Sequence, residues 1–149
     1  MAVTTDFQDL KANLQVTAYD FDPGATTATD IEWVDMSQST SILVGFFRTI
    51  GTGATTLALL GNPASDGSGS DLTIKTKTLT SAEPNAVGDY TWLEVTEAEI
   101  AQAASDAGVA IPQYVSASVS VATGTDEGVV IYIRKPKHAK LDLTADNIA

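Results

Sequence analysis

The chain contains no cysteine among its 149 residues. Disulfides, thiolate nucleophiles and zinc–cysteine sites are therefore impossible. Basic residues are also scarce, since eight Lys and Arg stand against 19 Asp and Glu, for a net charge of −11. This balance argues against nucleic acid and against anionic membranes as direct partners, because both are bound through lysine and arginine. No segment approaches the roughly 20 consecutive apolar residues that a membrane-spanning helix needs.

The sequence has little that indicates catalysis. Its single histidine, His138, lies in a lysine-rich segment, and no G-x-S-x-G nucleophile elbow accompanies it, so we interpret it as a solvated side chain. Closely spaced carboxylates occur at Asp20 and Asp22, and at Glu94, Glu97 and Glu99. Neighbours in sequence do not form the facing pair that a glycosidase requires. We therefore expect a non-enzymatic protein with no catalytic residues and no cofactor.

One acidic loop, Asp66-Gly-Ser-Gly-Ser-Asp71, is as rich in oxygen ligands as a calcium-binding loop. Its spacing does not fit the D-x-[DN]-x-[DN]-G pattern, and an ordinary flexible loop has the same composition. We assign no metal ligands, and leave open whether residues 66–71 bind a metal.

Period-2 alternation of apolar and polar residues runs through most of the chain and predicts β-strands with one buried face. The clearest case is Val115, Ala117, Val119 and Val121 against Ser116, Ser118 and Ser120, and Val129, Ile131 and Ile133 resume the pattern after a glycine-rich turn. Further strands are predicted at 15–21, 29–36, 41–50, 55–60, 72–80 and 89–95. The strand at 41–50 is apolar on both faces, which is typical of a strand at the centre of a sheet.

One short helix is predicted near 97–107. Thr96 and Glu99 form a capping box, and Gly108 followed by Pro112 ends the segment. Seven or eight short strands with one helix indicate a mainly β protein, an antiparallel β-sandwich of jelly-roll or immunoglobulin-like type. A closed barrel is the alternative that the sequence does not exclude. We divide the chain into an N-terminal arm (1–15), a sandwich domain (16–135) and a C-terminal tail (136–149).

Two terminal features are candidates for contact with other subunits. In the arm, Phe7, Leu10 and Leu14 would share one face of a short helix, although the segment could equally be extended. The basic residues near the C-terminus are either a solvated strand end or a contact site for an acidic neighbour, followed by a tail lying on another subunit. The candidate contact residues are Arg134, Lys135, Lys137, His138, Lys140, Leu141 and Leu143.

Three aromatic residues allow a second type of function. Trp33, Tyr90 and Trp92 could stack on sugar rings, as in a carbohydrate-binding module, if they were exposed on one face. Their position in apolar alternation favours packing in the core.

The order of these features resembles that of small virion proteins of tailed bacteriophages. The matching stretches are IEWVDMSQSTSILVGFFRTIGTG, LGNPASDGSGSDLTIKTKTL, YTWLEVTEAEIAQAA and QYVSASVSV…VVIYIRK, which together cover about residues 30–135. The resemblance implies a β-sandwich decoration or cement subunit on the capsid surface, made in the host cytoplasm, that binds the major capsid protein and forms homo-oligomers. A tail or head–tail junction protein is the alternative. The helix region and the basic tail depart from the pattern, so the mode of attachment does not carry over.

Overall fold

The computed structural model describes residues 15–21, 27–79 and 87–137. This part of the chain forms eight strands and one helix, which confirms the predicted β-sandwich with one short helix. The elements are β1 (Gln15–Phe21), β2 (Thr27–Asp35), β3 (Ser39–Ile50), β4 (Thr55–Asn62), β5 (Leu72–Leu79), β6 (Tyr90–Thr96), α1 (Glu97–Ala107), β7 (Tyr114–Val121) and β8 (Glu127–Pro136).

The strands form two antiparallel sheets of four strands each, rather than one closed barrel. Sheet A has the order β1-β8-β3-β6, and sheet B has the order β2-β7-β4-β5. Most connections cross from one sheet to the other, and β4 and β5 are consecutive neighbours within sheet B. The central strands are therefore β8 and β3 in sheet A, and β7 and β4 in sheet B.

The core lies between the two sheets and is built from alternate residues of the inner faces. Its buried strand residues include Ile42, Val44, Phe46, Leu57, Leu59, Leu93, Val95, Val115, Ala117, Val119, Val121, Val130 and Tyr132. The alternation predicted for β7 is confirmed, because its four predicted inward residues are all buried.

The prediction of which β8 residues face the core is wrong. Val130 and Tyr132 enter the core, whereas Val129, Ile131 and Ile133 lie half-buried on the other face. The segment is apolar at five consecutive positions, so alternation did not decide between its two faces.

Tyr132 links the two sheets where β2 is irregular. The register of β2 on β7 shifts on both sides of Ile31, and Glu32 adopts a φ of 57°. The Tyr132 hydroxyl, which comes from sheet A, accepts a hydrogen bond from the Ala117 backbone N–H at 2.9 Å and donates one to the Ile31 carbonyl. Burial raises the pKa of Tyr132, so the hydroxyl stays protonated and can donate.

A buried ion pair fixes one end of the sandwich. Arg48 Nη1 lies 2.8 Å from Asp126 Oδ2, and both side chains are almost fully buried. Arg48 Nη2 also donates to the Gly53 carbonyl at 3.1 Å and to the Thr55 hydroxyl, while the Thr123 hydroxyl donates to Asp126 Oδ1 at 2.7 Å. These bonds join the β3–β4 turn to the β7–β8 turn.

Helix α1 closes the side of the sandwich where β5 and β6 lie. The predicted capping box is present: the Glu99 N–H donates to Thr96 Oγ1 at 3.3 Å, and the Thr96 N–H donates to Glu99 Oε2 at 2.8 Å. Ile100 and Ala104 are buried beneath the helix. Gly108 ends it in the left-handed conformation, at a φ of 67°.

Candidate functional site

The outer face of sheet A is almost entirely apolar. The strand registers place its side chains in three rows of four, and ten of these twelve positions are apolar or glycine. Asp20 and Glu94 hold the other two positions, at diagonally opposite corners. We call this surface the apolar face; it consists of Val16 and Ala18 on β1, Val129, Ile131 and Ile133 on β8, Leu43, Gly45 and Phe47 on β3, and Tyr90 and Trp92 on β6.

This surface arises because both central strands of sheet A are apolar on both faces. The central position predicted for the strand at 41–50 is confirmed, but in the described structure only its inner side lies in the core. The side chains of the apolar face are half-buried or exposed, and Val16 and Tyr90 are exposed to 60% and 54%. The feature that sequence reasoning missed was visible as two uninterrupted apolar strands, ILVGFF and VVIYI, that share a sheet.

An aromatic cluster occupies one side of the apolar face. Phe47 and Tyr90 are stacked with ring centroids 5.3 Å apart, and Trp92 meets Phe47 edge-on at 5.7 Å and Tyr90 at 6.2 Å. The indole of Trp92 lies over Gly45, where a Cβ atom would come within 2.1 Å of the ring. Glycine at this position therefore lets a large aromatic side chain lie flat against the sheet.

Sheet B carries the opposite chemistry on its outer face. Registers between β7, β4 and β5 align Ser120 with Thr56 and Thr78, and Ser118 with Ala58 and Thr76. Thr56 and Thr78 are close enough for a hydroxyl–hydroxyl bond of 3.3 Å. Hydroxyl groups are well solvated, so this face needs no covering partner, whereas the apolar face exposes hydrophobic surface to water.

The apolar face is about as large as the largest apolar patch on a typical monomeric protein, and patches of that size are often functional. Four strands about 4.8 Å apart and three rows about 6.6 Å apart give, with side-chain width, roughly 18 × 20 Å, or about 350 Å². Contiguous apolar patches of a few hundred Å² are commonly functional and mark interaction sites.

Strand edges at β6 and β2 are poorly suited to pairing with another chain. From β5, Lys75 Nζ donates to the Glu94 carbonyl at 2.9 Å, and Lys77 Nζ donates to the Trp92 carbonyl at 3.2 Å. These lysines occupy carbonyls on the free edge of β6, and bulges interrupt the free edge of β2. An interaction through the apolar face is therefore favoured over strand addition at these two edges.

No protein-family model matches the chain, and no curated protein sequence matches it. Its fold is similar to those of several solved structures. A protein of Bacillus endospore appendages, described as disulfide-linked pili, is 17% identical over 83% of this chain and 86% of that chain, with a TM-score of 0.46. PirA is 11% identical over 80% of this chain and 92% of that chain, with a TM-score of 0.44.

A protein of infectious bursal disease virus is 9% identical over 84% of this chain, with a TM-score of 0.38. This chain matches only 31% of that protein's length. Likenesses this distant carry no argument about function, which must come from the surface itself.

Two of the basic residues predicted as a contact site have partners within the described structure. Arg134 Nη1 donates to the Asp35 carbonyl at 2.8 Å, and Lys137 Nζ pairs with Glu97 at 2.7 Å. Lys135 is exposed beyond the last row of the apolar face. The remaining candidates, His138, Lys140, Leu141 and Leu143, lie outside the described residues, as do residues 1–14 of the arm and most of the tail.

The three aromatic residues considered for sugar binding do not share one face. Trp33 on β2 packs against the β4–β5 loop, where a Cβ atom on Gly67 would lie 2.2 Å from the indole nitrogen. Tyr90 and Trp92 lie on the apolar face instead, so the prediction that they pack in the core is wrong. Leu93 and Val95, the alternate residues of β6, are buried there.

The acidic loop uses its carboxylates for local hydrogen bonds. Asp66 Oδ1 accepts from the Ser68 N–H at 3.0 Å, and Asp71 Oδ1 accepts from Asn62 Nδ2 at 2.7 Å. The Ser68 backbone N–H lowers the pKa of Asp66, because the hydrogen bond favours the ionised form. Among the residues that the structure describes, no group of three or more His, Asp and Glu is placed to hold a metal ion.

One cavity, of about 210 Å³, lies beside the start of α1, between Met36, Ile100, Ile111 and Pro112. Its charged lining residues, Glu97 and Lys137, already pair with each other. Across residues 15–21, 27–79 and 87–137, no helix is long and apolar enough to cross a membrane.

Proposed function

We propose that this chain is a non-enzymatic structural subunit that assembles with other proteins through the apolar face. The observation that carries this proposal is the contrast between the two outer faces, one apolar over about 350 Å² and the other lined by serine and threonine. One apolar surface gives the subunit a single direction of assembly. The hydroxyl-lined face is free to meet water or a polar neighbour at little desolvation cost.

The chemistry of the polar residues supports a structural role. The buried charges of Arg48 and Asp126 serve to join two turns, and the Tyr132 hydroxyl joins two sheets. A reactive centre needs groups held ready for a substrate. These groups are instead bonded to other parts of the sandwich.

More specifically, the protein would be a decoration or cement subunit on the capsid surface of a tailed bacteriophage. The order of strands, loops and helix that resembles small virion proteins supports this assignment. The major capsid protein would be its partner, together with further copies of this chain around a symmetry axis. Modest contacts made by each subunit add by avidity over a repeating shell.

The decisive experiment is to locate and count the protein in the particle that carries it. Cryo-microscopy should show hundreds of copies on the head surface, whereas a head–tail junction protein would be present in about a dozen copies by symmetry. Absence of the protein from purified particles would refute the virion assignment.

A matched pair of full-length variants tests the role of the surface. Ile131→Lys places a charge at the centre of the apolar face, and Ser118→Lys places one on the outer face of sheet B, each on a central strand. We expect Ile131→Lys to lower shell binding by about tenfold or more, because a charge must be desolvated there, and Ser118→Lys to bind as wild type. Co-sedimentation with shells measures both, and equal binding by the two variants would contradict the proposal.

Carbohydrate binding is a second candidate, and the partly exposed cluster of Phe47, Tyr90 and Trp92 favours it. Aromatic faces stack on sugar rings, but sugar sites also need polar groups that fix orientation. The neighbours of this cluster on the apolar face are mostly aliphatic. Binding to a glycan array that Trp92→Ala abolishes, with folding retained, would support this candidate over the structural one.

A further inference from the structure

The sandwich has four strand edges, and three of them carry features that hinder pairing with another strand. Lysine side chains occupy carbonyls on the free edge of β6, and bulges interrupt β2. Strand β5 carries these two lysines and lies against α1. The fourth edge belongs to β1, which pairs with β8 in one uninterrupted register and contains no lysine, proline or glycine. Because sheets commonly protect their edges, an unprotected edge indicates a pairing site.

The hydrogen-bond pattern of sheet A shows which backbone groups the β1 edge presents. In an antiparallel sheet, successive residues direct their N–H and C=O groups to alternate sides of the strand. The Trp92 carbonyl bonds a lysine of β5, so Trp92 points away from Gly45, which it faces on β3. Gly45 therefore bonds Ile131 on β8, and Ile131 and Ala18 turn away from each other. Ala18 thus directs its N–H and C=O outward, and the neighbouring rows give the same result for Val16 and Asp20.

A second copy of β1 fits these outward groups. Antiparallel pairing about a two-fold axis sets the two Ala18 residues opposite each other and each Val16 opposite an Asp20. Each of these facing pairs then exchanges two hydrogen bonds. Alanine is small enough to lie at the axis without steric conflict. The two Asp20 carboxylates lie roughly 14 Å apart, beyond the Debye length of about 8 Å in physiological salt.

We propose that β1 pairs with β1 of a neighbouring copy and extends sheet A across two subunits. This inference rests on the proposed structural function, and it leaves the apolar face free for the shell. The two-fold axis is perpendicular to the sheet, so the two apolar faces lie on one side and form one surface of about 700 Å². Two copies joined in this way bind a shell with avidity.

The edge contact by itself is weak. Backbone hydrogen bonds between subunits replace bonds to water, so their net contribution is small, and association costs translational and rotational freedom. The pair is therefore too weak to be detected by sedimentation of the free protein. It forms where a shell holds neighbouring copies side by side and raises their effective concentration.

Two full-length variants at one position test the pairing on shells. Ala18→Pro removes an N–H that points out of the sheet, a position where an edge strand tolerates proline, whereas Ala18→Val keeps it. Both keep the apolar face apolar. We expect Ala18→Val to bind shells as wild type and Ala18→Pro to bind about tenfold more weakly, since it loses avidity. Co-sedimentation measures binding, urea unfolding checks that both variants fold, and equal binding by the two would overturn the inference.

Covalent capture tests the same contact without a shell, because the chain has no cysteine of its own. Ala18→Cys places a thiol at the two-fold axis, where facing Cα atoms about 5.5 Å apart suit a disulfide. Thr76→Cys, at an exposed position on the edge strand β5, is the control. Both carry Ile131→Lys, which removes association through the apolar face. We expect disulfide-linked dimer to form about tenfold faster with Ala18→Cys, because pairing raises the effective concentration of the thiols, and equal rates would refute the pairing.

The outcomes separate this inference from the proposed function. Rapid linkage at position 18 in a protein that is absent from virions would refute only the virion role. Shell binding that Ile131→Lys weakens, but that Ala18→Pro and Ala18→Val leave equal, would refute only the pairing of β1.

Discussion

Single residues in this sandwich act mainly by joining parts that are distant in sequence, and Tyr132 is the clearest example. Tyr132→Phe removes the hydroxyl and leaves the buried Ala117 N–H and the Ile31 carbonyl without this partner. We expect a loss of about 2–4 kcal/mol in the free energy of unfolding, because the buried N–H costs about 1–3 kcal/mol and the part-buried carbonyl about 1 kcal/mol more. Urea unfolding measures it. Tyr114→Phe is the control, since its hydroxyl makes an exposed bond, and equal losses would contradict the assigned role.

The buried pair of Arg48 and Asp126 makes stability depend on acid pH. Burial raises the pKa of Asp126, but hydrogen bonds from Thr123 and Arg48, with the Arg48 charge, outweigh it and hold the pKa below its ordinary 3.8. A lowered folded pKa means that the stabilisation is complete above the unfolded pKa of about 4 and is lost as the pH falls through the folded value.

Asp126→Asn isolates this contribution, because it keeps the shape of the side chain and removes the charge. We expect it to cost about 3–5 kcal/mol at pH 7, because the charge of the buried Arg48 is no longer balanced by Asp126, and less at pH 3 and below. Guanidinium unfolding of both proteins across this range measures the difference. The pKa of Glu99 is lowered to about 2, chiefly by the hydrogen bond from Lys75. Glu99 is present in both proteins, so its contribution to the pH dependence cancels when the two are compared. A cost that does not change with pH would refute the linkage.

At the scale of the element, the start of α1 shows how a local sequence signal sets structure. Thr96→Ala removes the acceptor for the Glu99 N–H. It should lower the free energy of unfolding by about 1 kcal/mol, or the melting temperature by about 2–4 °C for a chain of this size. Ser105→Ala, an exposed position later in the same helix, should cause no loss. Thermal unfolding measures both variants. A similar effect at the two positions would refute the stabilising role of Thr96 as the N-cap.

The elements also show what a sequence can and cannot predict. The helix and β7 were predictable because their signals are local: a capping box in one, and alternation of valine with serine in the other. In β8 and β6, apolar residues occupy both faces, so the choice of inward residues depended on tertiary partners such as the Ala117 N–H for Tyr132. The bulges of β2 lie on both sides of Ile31, whose carbonyl accepts the other hydrogen bond of Tyr132. The apolar face could be predicted only from the order of strands in the sheet, because residues from four separate strands form it.

At the scale of the whole molecule, net charge opposes any assembly between copies. Each chain carries −11, while the apolar face has only Asp20 and Glu94 at its corners. Added salt should therefore strengthen self-association through this face, because it screens repulsion between copies without breaking ion pairs in the contact. We expect the association constant to rise about tenfold between low salt and about 1 M NaCl, where the Debye length falls to about 3 Å.

The salt response also separates this surface from the basic segment at the C-terminus. If Lys135, Lys137 and Lys140 instead bound an acidic neighbour, screening would weaken the same association. Sedimentation velocity across a salt series decides between the two. Ile131→Lys should abolish association at every salt concentration, and Ser118→Lys should follow wild type. Association that weakens with salt and survives Ile131→Lys would show that the basic segment, and not the apolar face, forms the interface.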